Sequence, residues 1–207
     1  TSRSPGRLRC VTGALKPARS RSPTAVLEAD ASRVRIFAPQ VVHGLMQTEE
    51  YARIMIRGSG MALRSAPDVE TEVQFRLGRQ RLHQQPRPPL ISVVLGEAAV
   101  RQMIGGAEVM RRQARKLLSM RGWPHIELQV LPFSVREHPG GDGAFTIMSL
   151  GHEAVLEVVT LHSLTRSWYV DEPSDVEHYS QTFATLQTSA LPESDSYAMI
   201  ERIVSGL

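Results

Sequence analysis

Ile126-Glu127-Leu128-Gln129-Val130-Leu131-Pro132-Phe133 opens the stretch on which the fold turns. Ile126, Leu128 and Val130 alternate with Glu127 and Gln129, the period-two signature of a strand with one buried face. The run His138-Pro139-Gly140-Gly141-Asp142-Gly143 is rich in turn formers and is expected to reverse the chain. Three further strands are predicted, Ala144–Leu150, Ala154–His162 and Arg166–Val170, the first two joined tightly through Gly151-His152-Glu153. Short links join antiparallel neighbours, because a parallel pair needs a long crossover. The stretch from Ile126 to Val170 therefore reads as a four-strand meander. Phe133 and Phe145 are expected on the face it shares with the C-terminal helices.

Outward from this sheet, helical signals dominate. Upstream, Ala107 to about Met120 is amphipathic with Met110, Ala114, Leu117 and Leu118 inward, and Gly122-Trp123-Pro124 ends it. Leu90–Leu95, rich in β-branched residues, predicts a fifth strand. Val69, Val73 and Leu77 share one helix face, and Thr48 is an N-cap for a helix carrying Tyr51, Ile54 and Met55. Glu28–Arg35 is helix-compatible, with Pro39 as its breaker. Downstream, Ser174 and Glu177 have capping-box spacing, followed by a stripe of Val176, Tyr179, Phe183, Leu186 and Ala190. Pro192 suits the first turn of a last helix bearing Tyr197, Ile200 and Val204. The expected class is α+β: a mostly antiparallel sheet of about five strands flanked by N-terminal and C-terminal helices.

Of 207 residues, 42% are hydrophobic and 22% charged, as in ordinary globular domains. No apolar run approaches the roughly 18 residues of a membrane span, and no signal-peptide core is evident. A single cysteine, Cys10, excludes an internal disulfide framework and points to the cytoplasm. The net charge of +3 is unevenly distributed: residues 1–27 carry six basic side chains and no acid, leaving 18 basic against 21 acidic residues beyond them. Residues 1–27 thus read as a disordered basic arm, with 1–25 dispensable for folding, and 28–207 as one domain. Thr1 in first place marks a fragment or processed chain as the expectation.

Catalytic signals are weak. None of the seven histidines forms His-x-x-x-His on a helix, and no second cysteine exists, so no metal and no cofactor are expected. His138, His152 and His162 read as separate surface or hydrogen-bonded side chains. Cys10 lacks a fixed base, and Gly140-Gly141-Asp142-Gly143 precedes a strand and not a phosphate-binding helix. Glu97 and Glu157 are the candidates for a carboxylate pair.

Several ordered stretches carry a family likeness. They are Gln40–Thr48 with Tyr51-Ala52-Arg53, Arg76-Leu77-Gly78-Arg79-Gln80, Gly96–Arg101, Gly105-Gly106, Val130–Ser134, Gly143–Ile147 and Val170–Glu177. Residues 28–207 resemble the C-terminal domain of unknown function of actinobacterial WhiJ-like, antitoxin-like regulators. There it follows a helix-turn-helix of the xenobiotic-response-element type. Two positions depart from that pattern: Thr160-Leu161-His162 replaces a Tyr-Leu-Glu-like step, and Arg136-Glu137 replaces the usual glycine before His138. The likeness implies a non-enzymatic domain sensing an unknown small ligand or protein partner, with a homodimer left open. Since 27 residues cannot build a helix-turn-helix, no specific DNA binding is expected of the chain as given. The candidate binding residues are Gln47, Tyr51, Arg79, Gln80, Glu97 and His138. Each also has a structural reading: Gln47 and Gln80 satisfying backbone groups, and Arg79 pairing with Glu97. The alternative is a small hydrolase or transferase using Glu97 with His138 or His162.

Overall fold

The segment read as helix-compatible supplies the central strand. In the computed structural model, which describes residues 23–59, 69–151, 156–163 and 166–207, β1 spans Ala31–Ala38. Helix α1 precedes it at Pro23–Asp30, taking in residues that the boundary at 28 assigned to the arm. Residues 1–22, including Cys10, lie outside the described residues. The strand is fixed by burial on both sides. Val34, Ile36 and Ala38 face one core while Phe37 faces the other, a pattern that no single-sided helix accommodates.

Among the described residues, six strands form one mixed sheet in the order β3-β2-β1-β4-β5-β6, with β2 at Leu90–Gly96, β3 at Ile126–Leu131, β4 at Phe145–Leu150, β5 at Leu156–His162 and β6 at Ser167–Val170. The α+β class holds, and β4, β5 and β6 are consecutive antiparallel neighbours as expected. The four-strand meander does not form. β3 pairs in parallel with β2, from Ile91 opposite Ile126 to Gly96 opposite Leu131, and β2 pairs in parallel with β1. Only β1 and β4 make the antiparallel junction between the two halves. The reason is connection length. Helices α4 (Glu97–Arg101) and α5 (Ala107–Ser119) supply the crossover from β2 to β3 that parallel pairing requires. The glycine-rich segment after β3 forms a 3-10 turn at Pro139–Asp142 within a second long connection, not a hairpin turn.

One face of the sheet packs on α2 (Glu49–Arg57), α5 and α7 (Glu193–Ser205) through Tyr51, Met110, Leu117, Tyr197 and Ile200. Beside α2 lies α3 (Val69–Arg79), with Val73 buried. The other face is covered by α6 (Pro173–Ser189), whose Val176, Phe183 and Leu186 meet Phe37, Val94, Phe145, Ile147 and Val159. Phe145 is buried as expected, but Phe133 is 66% exposed. β3 ends at Leu131 and Pro132 leads the chain off the sheet, so the alternation no longer applies. The capping box is also absent: α6 begins at Pro173, and its N-cap is Glu172 without a side-chain cap bond. Thr48, in contrast, caps α2 by accepting from Tyr51 N.

Candidate ligand-binding site

The loop leaving the C-terminal end of β1 has almost no regular backbone pairing of its own. Its carbonyls must be satisfied by other groups, because buried unpaired C=O groups are costly. Side chains from the loop itself, from the 3-10 turn at Gln80–Gln84 and from α5 do so. Gln47 Nε2 donates to Val42 O at 2.7 Å, Gln80 Nε2 to Gly44 O and Gln47 O at 2.8 Å each, and Gln113 Nε2 to Met46 O at 2.8 Å. Lys116 Nζ also donates to Gln47 O, at 2.8 Å, and His83 Nε2 lies 3.1 Å from Leu45 O. The Tyr51 hydroxyl accepts from Val42 N, and Gln113 Oε1 from Thr48 N. Gln47, Tyr51 and Gln80 thus bond the loop's backbone, the backbone-satisfying role expected for the two glutamines.

Arg79 does not pair with Glu97. Its guanidinium makes two bonds, 2.7 and 2.6 Å, to the buried Glu28 carboxylate on α1. Glu97 is ion-paired with Arg101 one turn on in α4, and its Oε2 accepts from Phe133 N at 2.8 Å. His138 Nδ1 accepts from Gly140 N, capping the 3-10 turn at Pro139–Asp142. Of the six sequence candidates, Gln47, Tyr51, Arg79 and Gln80 gather around the loop. Glu97 and His138 sit elsewhere, and no hydrogen bond or ion pair among the described residues joins them to the rest. His162 Nδ1 lies 2.8 Å from Ser167 Oγ on β6, with Arg79 and Glu28 acting on it electrostatically. His152 lies outside the described residues.

Beside the loop, a recess of about 520 Å³ opens between the 3-10 turn Gln80–Gln84, α5 and the turn after it. Gln80, Arg81, His83, Gln84, Lys116, Trp123 and His125 supply its polar and aromatic lining, and among the described residues no aspartate or glutamate lines it. Because Leu45 O can only accept, His83 Nε2 carries a proton. Its Nδ1 is then the acceptor for His125 Nε2, 3.2 Å away, in the neutral form. Burial pushes both imidazoles below their ordinary range, with His125 and Lys116 adding to the effect on His83. Trp123 stacks on His125 with ring centroids 5.6 Å apart and planes at 29°. Burial also lowers Lys116, whose ammonium bonds the Gln80 amide oxygen at 2.6 Å. Two of its three donors are thus used, on neutral oxygens.

Sequence reasoning missed Lys116, His83 and His125. Gln113 and Lys116 share a face of α5 by their spacing, but only the fold brings His83 and His125 beside them. A larger groove of about 910 Å³ shares Trp123 and His125 but mixes Arg33 and Arg121 with Glu127 and Glu193. No group of three or more His, Cys, Asp or Glu side chains is placed to hold a metal ion among the described residues. No helix among them is long and apolar enough to cross a membrane.

A family described as a domain of unknown function (DUF5753) matches residues 22–202. No curated protein and no solved structure matches the chain.

Proposed function

Starting from a chain that belongs to the DUF5753 family, we propose that it is a non-enzymatic sensing domain that binds a small planar organic anion in the recess beside the loop. The observation that carries this reading is the lining: an ammonium, a guanidinium, two neutral imidazoles, an indole and two amides, without a carboxylate among the described residues. A recess of this size suits a small molecule, its aromatic wall suits a planar one, and its charge selects an anion. Lys116 and Gln80 belong both to the recess and to the bonds that hold the 42–48 loop, so a ligand that engages them acts on that loop directly. A cytoplasmic regulator related to the WhiJ-like proteins is the setting in which such a sensor would work, and this setting is part of the proposal.

The test uses benzoate and indole-3-acetate against their uncharged amides, followed by calorimetry and tryptophan fluorescence. The acids should bind at least about tenfold more tightly, the discrimination of one charge-assisted bond. Lys116→Met and Trp123→Leu should each weaken them, and a Trp123→Leu chain of unchanged melting temperature separates lost binding from lost folding. Equal binding of acid and amide, or none of either, overturns the reading.

A further inference from the structure

The groove of about 910 Å³ crosses the N-terminal ends of the three parallel strands. Strand register brings those ends together: Arg33 lies opposite Leu90, Ile91 opposite Ile126 and Ser92 opposite Glu127. Residues 121–125 and the first turn of α7 complete the wall. Leu90 is 50% exposed and Trp123 37%, so the groove offers apolar and aromatic surface beside its charges.

Those charges balance. Two guanidiniums and two carboxylates line the groove, whereas the recess has cations without a carboxylate among the described residues. Two of the four are engaged already. Arg121 pairs with Glu201 at 3.0 Å, and Glu127 accepts from Ser92 Oγ and Gln187 Nε2 at 3.2 and 3.0 Å. The other two, Arg33 and Glu193, are exposed and make no side-chain hydrogen bond or ion pair among the described residues.

The same wall holds an unsatisfied donor. Tyr197 is 1% exposed, and its hydroxyl is buried without a hydrogen-bond partner among the described residues. Such a group is costly, and a ligand carbonyl relieves it. Burial and then Glu193 raise this hydroxyl to about 12 against the opposing charge of Arg121, so it keeps its proton near neutral pH. The Arg121 guanidinium lies 4.8 Å over the Tyr197 ring, but its side chain is 49% exposed and its surface ion pair is weak enough to give way.

We propose that this groove binds short aromatic peptides as zwitterions, with the terminal carboxylate on Arg33, the terminal ammonium on Glu193, the peptide carbonyl on the Tyr197 hydroxyl and the aromatic ring against Trp123. Each terminus finds an opposite charge that no other described group occupies. A pure anion leaves Glu193 unpaired beside it and a pure cation leaves Arg33, so neither matches the lining as a zwitterion does. The volume suits a ligand of dipeptide size or somewhat larger.

The test is calorimetry on the full chain with glycyl-phenylalanine, its N-acetyl form, its C-terminal amide and the doubly blocked form. The free dipeptide should bind at least about tenfold more tightly than either singly blocked form. In Glu193→Gln the acetylated and free dipeptides should bind alike, and in Arg33→Gln the amide and the acid should. Tyr197→Phe should weaken the dipeptide without lowering the melting temperature, because the hydroxyl has no bond to lose. Lys116→Met should change nothing, which separates this groove from the recess. Equal binding of all four compounds, or of none, overturns the proposal. So does a wild-type preference kept in both glutamine variants, wild-type affinity in Tyr197→Phe, or binding lost in Lys116→Met.

Discussion

Two phenylalanines twelve residues apart show how far a side chain's weight depends on where its strand ends. Phe145 is 5% exposed and packs at 5.7 Å on Phe37 and 5.1 Å on Tyr179 between ring centroids, whereas Phe133 is 66% exposed. Phe145→Ala should cost about 3–5 kcal/mol in urea denaturation, and Phe133→Ala no more than about 0.5 kcal/mol. Comparable losses would contradict the packing described. His43 is decided by its surroundings in the same way. Burial first, then Arg79, His162 and Arg76, hold its pKa down to about 3 from 6.5. Between those values the unfolded chain binds a proton that the folded chain does not, so stability is present above pH 6.5 and is lost as pH falls toward 3. Denaturation midpoints at about pH 7.5 and about pH 5 should differ in that direction. His43→Asn, which keeps an acceptor for Leu45 N, should shrink the difference. It should not abolish it, because His83, His125 and His162 are lowered as well. An undiminished difference in His43→Asn would show that other groups carry the pH dependence.

Elements read from local pattern alone came out where the pattern is one-sided. α5 shows its stripe of Met110, Ala114 and Leu117, and α7 shows Tyr197 and Ile200, because each buries a single face. Glu28–Arg35 reads as helix, yet from Ala31 on it belongs to β1, a strand buried on both faces in which Ile36 and Phe37 serve opposite cores and no apolar-polar alternation announces it. β3 was recognised but misplaced: Ile126, Leu128 and Val130 fit any strand position, and only the α4–α5 crossover decides that β2 is its neighbour. Of the residues proposed from sequence motifs, Gln80 lines the recess, while Gln47 and Tyr51 bond the backbone of the loop beside it. Lys116, His83 and His125 come from separate elements and become a site only through the fold. The edge of β3 gives an element-scale test, since exposed edges invite pairing with other chains. The α6–α7 corner covers it: Val130 N donates to Ser196 Oγ at 2.9 Å and Val130 O accepts from Leu191 N at 2.9 Å. Ser196→Ala leaves a buried N–H without its partner and should cost about 1–3 kcal/mol. Faster exchange at Val130 and at α7 should accompany that loss. An unchanged midpoint would mean that water takes the place of the hydroxyl.

At the scale of the molecule, two cores among the described residues share one sheet, and the question is whether they melt together. The strands give no line along which to separate them. β1 contributes Ile36 to one core and Phe37 to the other, and β2 divides Val93 and Val94 in the same way. Unfolding either core exposes one face of strands that the other core requires, so a single cooperative transition is expected. Ile200→Val trims the core under α7, and Ile147→Val trims the core under α6; both positions are fully buried. Each change should lower stability by about 0.5–1.5 kcal/mol. They belong to separate clusters on opposite faces, so the double variant should equal their sum within about 0.5 kcal/mol. Far-ultraviolet and near-ultraviolet circular dichroism should trace coincident urea curves in all four chains, with an unchanged slope. If Ile147→Val instead shifts the near-ultraviolet transition ahead of the far-ultraviolet one, the α6 layer peels off by itself. The sheet would then be stabilised chiefly by the face that carries α2, α5 and α7.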